Sequence, residues 1–209
     1  MGVHDPKNPN NGLRTGDIIP EPAIDPNTGQ LYVVWQDARF NGGQNDQVVI
    51  ATSTAGGLTG TWSSPRLVNP AGDPAAFTPA ITVNDRGQVG VSYYDFRAPE
   101  PDPAAHILST DTWLTTTDGP GVAFTRETRI GGPYNMLAAP QTAPGNGGGY
   151  FVGDYEGLTA DVDGKFFHPF FVQTNCADNS CDAVGTPDGS PAGPDSTDVF
   201  ADRGKSRPD

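Results

Sequence analysis

One phrase occurs twice in this 209-residue chain, and it restricts the available folds more than any other feature. Pro22-Ala-Ile-Asp-Pro-Asn-Thr-Gly29-Gln-Leu-Tyr-Val-Val-Trp35-Gln-Asp37-Ala-Arg39 is answered by Pro79-Ala-Ile-Thr-Val-Asn-Asp-Arg-Gly87-Gln-Val-Gly-Val-Ser-Tyr93-Tyr-Asp95-Phe-Arg97. The Pro-Ala-Ile starts lie 57 positions apart and the Asp-x-Arg ends 58 apart, so one residue is added between them. A fixed period of this length marks an architecture built by repetition. Each copy reads as a strand, an Asn/Asp/Gly turn, a second strand and a polar exit. Gly29 and Gly87 supply the positive φ that a tight hairpin needs.

Both copies continue in the same way. Gln47–Ser53 and, after a Gly-rich turn, Thr61–Val68 follow the first; His106–Thr116, a turn at 117–121 and Phe124–Ile130 follow the second. A third, partial copy runs from Gly149 through Asp154-Tyr155-Glu156, Asp161 and Gly164 to Val172. A Gly/Pro/Asp/Ser-rich loop at 178–194, Asp198-Val-Phe200 and a charged tail at 203–209 complete the chain. With 27 Gly and 21 Pro, few stretches are free to form a helix, and the short Thr, Val and Phe runs between them favour strands. The expectation is all-β: one domain of four-stranded antiparallel units at 16–70, 75–131 and 149–202, stacked as blades of a β-propeller. Three blades do not close a ring. The chain is therefore expected to be a partial propeller, either the C-terminal part of a longer protein or a unit that self-associates through its open edges.

Charge excludes several partners. Twelve Lys+Arg against 25 Asp+Glu give a net charge of −13, which repels nucleic-acid backbones and anionic membranes. No apolar run approaches the length of a membrane span, and the polar start at Met1 does not read as a signal peptide. Cys176 and Cys181 are expected to form a disulfide closing a tight polar loop, which suits an oxidising compartment; two free thiols are the alternative. Two cysteines with the scattered His4, His106 and His168 do not complete a zinc site, and no Asp run has calcium-loop spacing. No metal and no cofactor are expected.

The turns between third and fourth strands carry a resemblance. Ser53-Thr-Ala55-Gly-Gly-Leu-Thr-Gly-Thr61-Trp62 and Thr116-Thr-Asp118-Gly-Pro-Gly-Val-Ala-Phe124 resemble the Asp-box, or BNR repeat, of sialidase-type propellers, Ser-x-Asp-x-Gly-x-Thr-Trp. The first copy has Ala55 in place of the Asp, and the second has Phe124 in place of the Trp; both carry insertions. Together with Ser109-Thr-Asp-Thr-Trp113 and Gly153-Asp-Tyr-Glu-Gly-Leu158, the chain resembles the C-terminal half of bacterial secreted exo-sialidase-like proteins over roughly residues 16–202. The resemblance implies a six-bladed propeller, secretion, a glycan ligand, and glycoside hydrolysis at terminal sialic acid or a related sugar. The alternative is a non-catalytic carbohydrate- or protein-binding propeller.

In exo-sialidases a Tyr activated by Glu is the nucleophile, an Asp is the acid/base, and three Arg hold the substrate carboxylate. The resemblance then implies Asp37, Asp95, Tyr155 and Glu156 as catalytic candidates, and Arg39, Arg97 and Asp154 as substrate-binding ones. The Phe/Tyr-Arg-Ile-Pro phrase that usually carries the first of the three Arg is absent. A structural reading competes at every position. A repeated Asp-x-Arg suits an ion pair of the scaffold, since residues i and i+2 share a face of a strand. Tyr155 and Glu156, being adjacent, point to opposite faces if the segment is extended. Trp35, Tyr93 and Phe171 suit a blade core, and His168 a half-buried strand position. If the repeat holds, the two Asp-x-Arg pairs lie at the same end of neighbouring blades.

Overall fold

The computed structural model describes residues 3–16, 19–54, 56–70, 72, 75–99, 107–142, 149–174 and 197–205. They form strands joined by turns, two of them 3₁₀, with no α-helix among the described residues. A hairpin of β1 (Val3–Asp5) and β2 (Asn8–Leu13) comes first. The first four-stranded sheet is a meander of β3 (Glu21–Ile24), β4 (Leu31–Asp37), β5 (Gln47–Ser53) and β6 (Arg66–Leu67). The second repeats it with β7 (Ala76–Val83), β8 (Val89–Asp95), β9 (Ser109–Thr117) and β10 (Phe124–Asn135). In the third, β11 (Gly157–Ala160) pairs with β12 (Phe166–Thr174), whose other edge takes both β13 (Thr197–Ala201) and β14 (Gly204–Lys205). All pairings are antiparallel. The chain is all-β, in an arrangement consistent with a propeller-like fragment.

Four boundaries differ from the sequence expectation. The first unit's last strand shrinks to two residues, because Trp62 is engaged in the turn, where its indole N–H donates to the Gly57 carbonyl at 3.2 Å. The last strand of the second unit runs on past Ile130 to Asn135. The third unit opens at Gly157, not Gly149; Tyr150 instead bridges Leu13 and Gln141. The β1–β2 hairpin was not expected from its polar residues. Tertiary contacts hold it: Val3 and Leu13 are buried, and the Arg14 amide donates to the Tyr150 carbonyl at 3.0 Å. Ala55, His106, the Cys176 and Cys181 pair and the 178–194 loop lie outside the described residues.

The first-to-second-strand turns hold the sheets in a common orientation. Asn27 Nδ2 donates to the Asp85 carbonyl at 2.8 Å, and Asn84 Nδ2 to the Gly164 carbonyl at 3.0 Å. Each turn is thus clasped to the next. The ends of β4 and β8 lie opposite these clasps, so Asp37 and Asp95 are at the same end of their sheets, here called the mouth.

Turn-closing bonds also fix the register between units. Asp25 N–H to Gln30 O, Asn84 N–H to Gln88 O and Asp161 N–H to Phe166 O make Gln30, Gln88 and Phe166 equivalent. Leu31, Val33 and Trp35 therefore match Val89, Val91 and Tyr93, and these match Phe167, Pro169 and Phe171. In each sheet this set forms the leading face, turned toward the preceding sheet; the alternate residues form the trailing face.

The core lies between successive sheets. Tyr32, Val34, Val48 and Ile50 of the first pack on Val89, Val91 and Tyr93 of the second. Tyr94, Phe96 and Tyr134 of the second pack with Phe171 of the third, joined by Val3, Leu13 and Tyr150. Burying each large side chain contributes about 1.5–3 kcal/mol. Gly90 marks the closest approach, since a Cβ there would stand 2.8 Å from the Phe167 ring.

Candidate functional site

The mouth gathers the charged residues singled out in the sequence. In the first sheet Asp37 follows Trp35 on the leading face and accepts the Trp35 indole N–H at 3.0 Å. Arg39 pairs with the same carboxylate at 2.6 Å, and its backbone N–H donates to the other oxygen at 2.9 Å. Burial pushes the Asp37 carboxyl up, but the Arg39 and Trp35 bonds outweigh it and hold its pKa below the ordinary value. Trp35 is half-buried rather than core. Here the leading face has no sheet against it among the described residues.

The equivalent pair in the second sheet sits in a closed network. Arg97 Nε lies 2.5 Å from Asp95 Oδ2 and Arg97 Nη1 lies 2.7 Å from Glu127 Oε2. The guanidinium stacks over the Trp113 ring at 3.8 Å, and the Trp113 indole N–H donates to Asp95 Oδ1 at 3.0 Å. The Tyr93 hydroxyl donates to Glu127. Alongside, Arg129 approaches Asp111 at 3.5 Å, yet burial dominates there and raises the Asp111 pKa. The Asp95 side chain is 0% exposed against 14% for Asp37, and Arg97 22% against 52% for Arg39. Sequence spacing brought Asp95 and Arg97 together, but it missed Trp113, Glu127, Asp111 and Arg129. Those partners come from β9 and β10, through a ladder that sets Tyr93 opposite Trp113 and Trp113 opposite Arg129.

The third group precedes β11. Asp154 pairs with Arg14 at 3.1 Å, and Arg14 also lies over the Phe151 ring, 4.7 Å from its centroid. Tyr155 points outward and is 71% exposed. Glu156 points inward, opposite Phe171, as strand alternation requires. Both its carboxylate oxygens are cut off from solvent, and the Tyr94 hydroxyl and the Val172 amide are the groups that favour its charged form. The Tyr94 hydroxyl is shared, since it also donates to the Val172 carbonyl at 2.6 Å and accepts the Val172 N–H at 2.9 Å. Burial therefore prevails and raises the Glu156 pKa from 4.5 to about 8. Burial first and the Glu156 charge second push the Tyr94 and Tyr134 hydroxyls well above their usual range. A cavity of about 320 Å³ opens here, lined by Glu156, Tyr155, Gly157, Phe170, Phe171, Val172 and Val199.

Between the first two groups the backbone is strained. β7 bulges between Phe77 and Ala80, and Thr78 has φ 47°. Gln36 holds that bend, its Oε1 accepting the Thr78 N–H at 2.8 Å. The mouth residues thus form three groups, and the Tyr134 hydroxyl feels the charges of both Glu156 of the third and Asp111 of the second. No group of His, Cys, Asp and Glu suited to a metal ion occurs among the described residues.

Comparison with known proteins returns little. No protein-family model matches the chain, and no curated protein does. Among solved structures the chain is similar to the crystal structure of α-L-arabinofuranosidase from Lactobacillus brevis, at 15% identity and a TM-score of 0.40. The match covers 87% of this chain and 57% of that one, so this chain spans just over half of that protein's length.

Proposed function

We propose that this chain supplies the sheets of a propeller-type glycoside hydrolase of exo-sialidase type, with Glu156 as the residue that carries the catalytic proton. The supporting observation is Glu156 itself. Its carboxyl is shut off from water beneath an aromatic-lined cavity to which the residue contributes, and burial outweighs its bonds to Tyr94 and Val172 and raises its pKa to about 8. A carboxylic acid that keeps its proton at neutral pH is what a glycosidase uses to protonate the leaving oxygen.

A second reading, a non-catalytic glycan- or protein-binding propeller, is favoured by the arginines. Arg14, Arg39, Arg97 and Arg129 are each paired with an acid of this chain, so none stands ready to hold a substrate carboxylate as the sialidase pattern would require.

Fluorogenic sialosides and other glycosides, offered to the full chain and to a folded Glu156→Gln variant, decide between these readings. Turnover that is lost in the variant supports the hydrolase. Glycan binding without turnover supports the second reading, and neither activity would sink both.

A further inference from the structure

The leading face of the first sheet and the trailing face of the third have no described neighbour, and the residues there show what would fit them. Among the described residues, the exposed large apolar side chains fall in these two end sheets and their turns, none in the middle sheet. On the leading face Leu31, Val33 and Trp35 are half-buried, with Ile24 56% and Trp62 39% exposed. Their equivalents on the second sheet, Val89, Val91 and Tyr93, are 0% exposed, because the trailing face of the first sheet covers them. On the trailing face of the third sheet Phe170 is 47% and Val199 69% exposed. The trailing-face positions Val34 and Ser92, equivalent to Phe170, are 0% exposed under the next sheet's leading face.

Each open face is therefore the half of an interface that the chain already builds twice, trailing face on leading face. The two open faces are of opposite kind. We infer that two copies of this chain associate head to tail, the trailing face of each third sheet packing on the leading face of the other's first sheet. With three four-stranded sheets per copy, two such contacts give a closed ring of six sheets related by a two-fold axis. The second copy covers both apolar faces at once, as the internal sheets cover theirs, and closure removes the open flanks.

Sedimentation velocity on the full chain tests this through the complementarity of the faces. Ile24→Asp blocks the leading face and Val199→Asp the trailing face; both side chains are exposed, so the monomer fold is spared, and circular dichroism checks that it is. The wild type is expected to sediment as two chains, and each variant alone as one, with Kd raised about 100-fold or more by a charge in an apolar contact. An equimolar mixture of the variants recovers a dimer held by its one unblocked contact. Thr128→Asp on the exposed side of β10 leaves association unchanged. A wild-type chain that stays monomeric and melts cooperatively at micromolar concentration would overturn the inference. So would dissociation by only one of the two variants, since that places like faces together.

Discussion

Glu156 gives the most demanding prediction. Its carboxyl titrates near 8 in the folded chain against an ordinary 4.5, so between these values the folded state holds a proton that the unfolded state releases. Stability from this group is fully present below pH 4.5, falls as pH rises, and is gone above pH 8. A shift of that size corresponds to a loss of about 5 kcal/mol across the window. That is a large share of the roughly 5–15 kcal/mol holding a typical domain together. Glu156→Gln removes the charge while keeping the shape. At acid pH the variant should be at most about 1–3 kcal/mol less stable, from an amide that meets Tyr94 and Val172 less well than the carboxyl does. Above pH 8 it should be the more stable protein. Urea unfolding of both proteins at several pH values between 4.5 and 9 gives the difference directly. Subtraction cancels other groups, including Asp111 and Glu21, whose raised values act with the same sign, and Asp37 and Asp25, whose lowered values act below pH 4. A difference that stays constant within about 1 kcal/mol over this range would refute the claim that burial outweighs the hydrogen bonds to this carboxyl.

Two further predictions concern the frame. Asp95→Ala strips Arg97 and the Trp113 indole of a fully buried partner and should cost about 3–5 kcal/mol, whereas Asp37→Ala breaks a pair whose arginine is exposed and should cost markedly less. Equal losses in urea unfolding would contradict the different burial of the two pairs. Gly90→Ala pushes a methyl into the Phe167 ring and should cost about 1–3 kcal/mol, part of which a simultaneous Phe167→Leu restores; a neutral single substitution would show that the second and third sheets are not in close contact.

The repeat was legible because turn chemistry and strand alternation are local. Pro-Ala-Ile, the Asn/Asp/Gly turns and the Asp-x-Arg exits fix two strands, a hairpin and a shared orientation in each copy, and the clasps from Asn27 and Asn84 bear that orientation out. The opposed directions of Tyr155 and Glu156 followed from the same alternation. What the sequence left open depends on residues far apart in the chain. Asp37 and Asp95 occupy equal positions in equal phrases, yet one pair is exposed and the other is locked among Glu127, Trp113 and Tyr93. Only the packing of one sheet on the next, and the register of β9 and β10, distinguish them. Glu156 is singled out only through the family resemblance, and nothing among its sequence neighbours marks how deeply its carboxyl is buried. Its pKa is decided by burial between two sheets, which its bonds to Tyr94 and Val172 do not outweigh. Local rules set which way a side chain points; only the tertiary structure decides what it meets there, and burial in an apolar interior shifts a charge far more than any neighbour in sequence can.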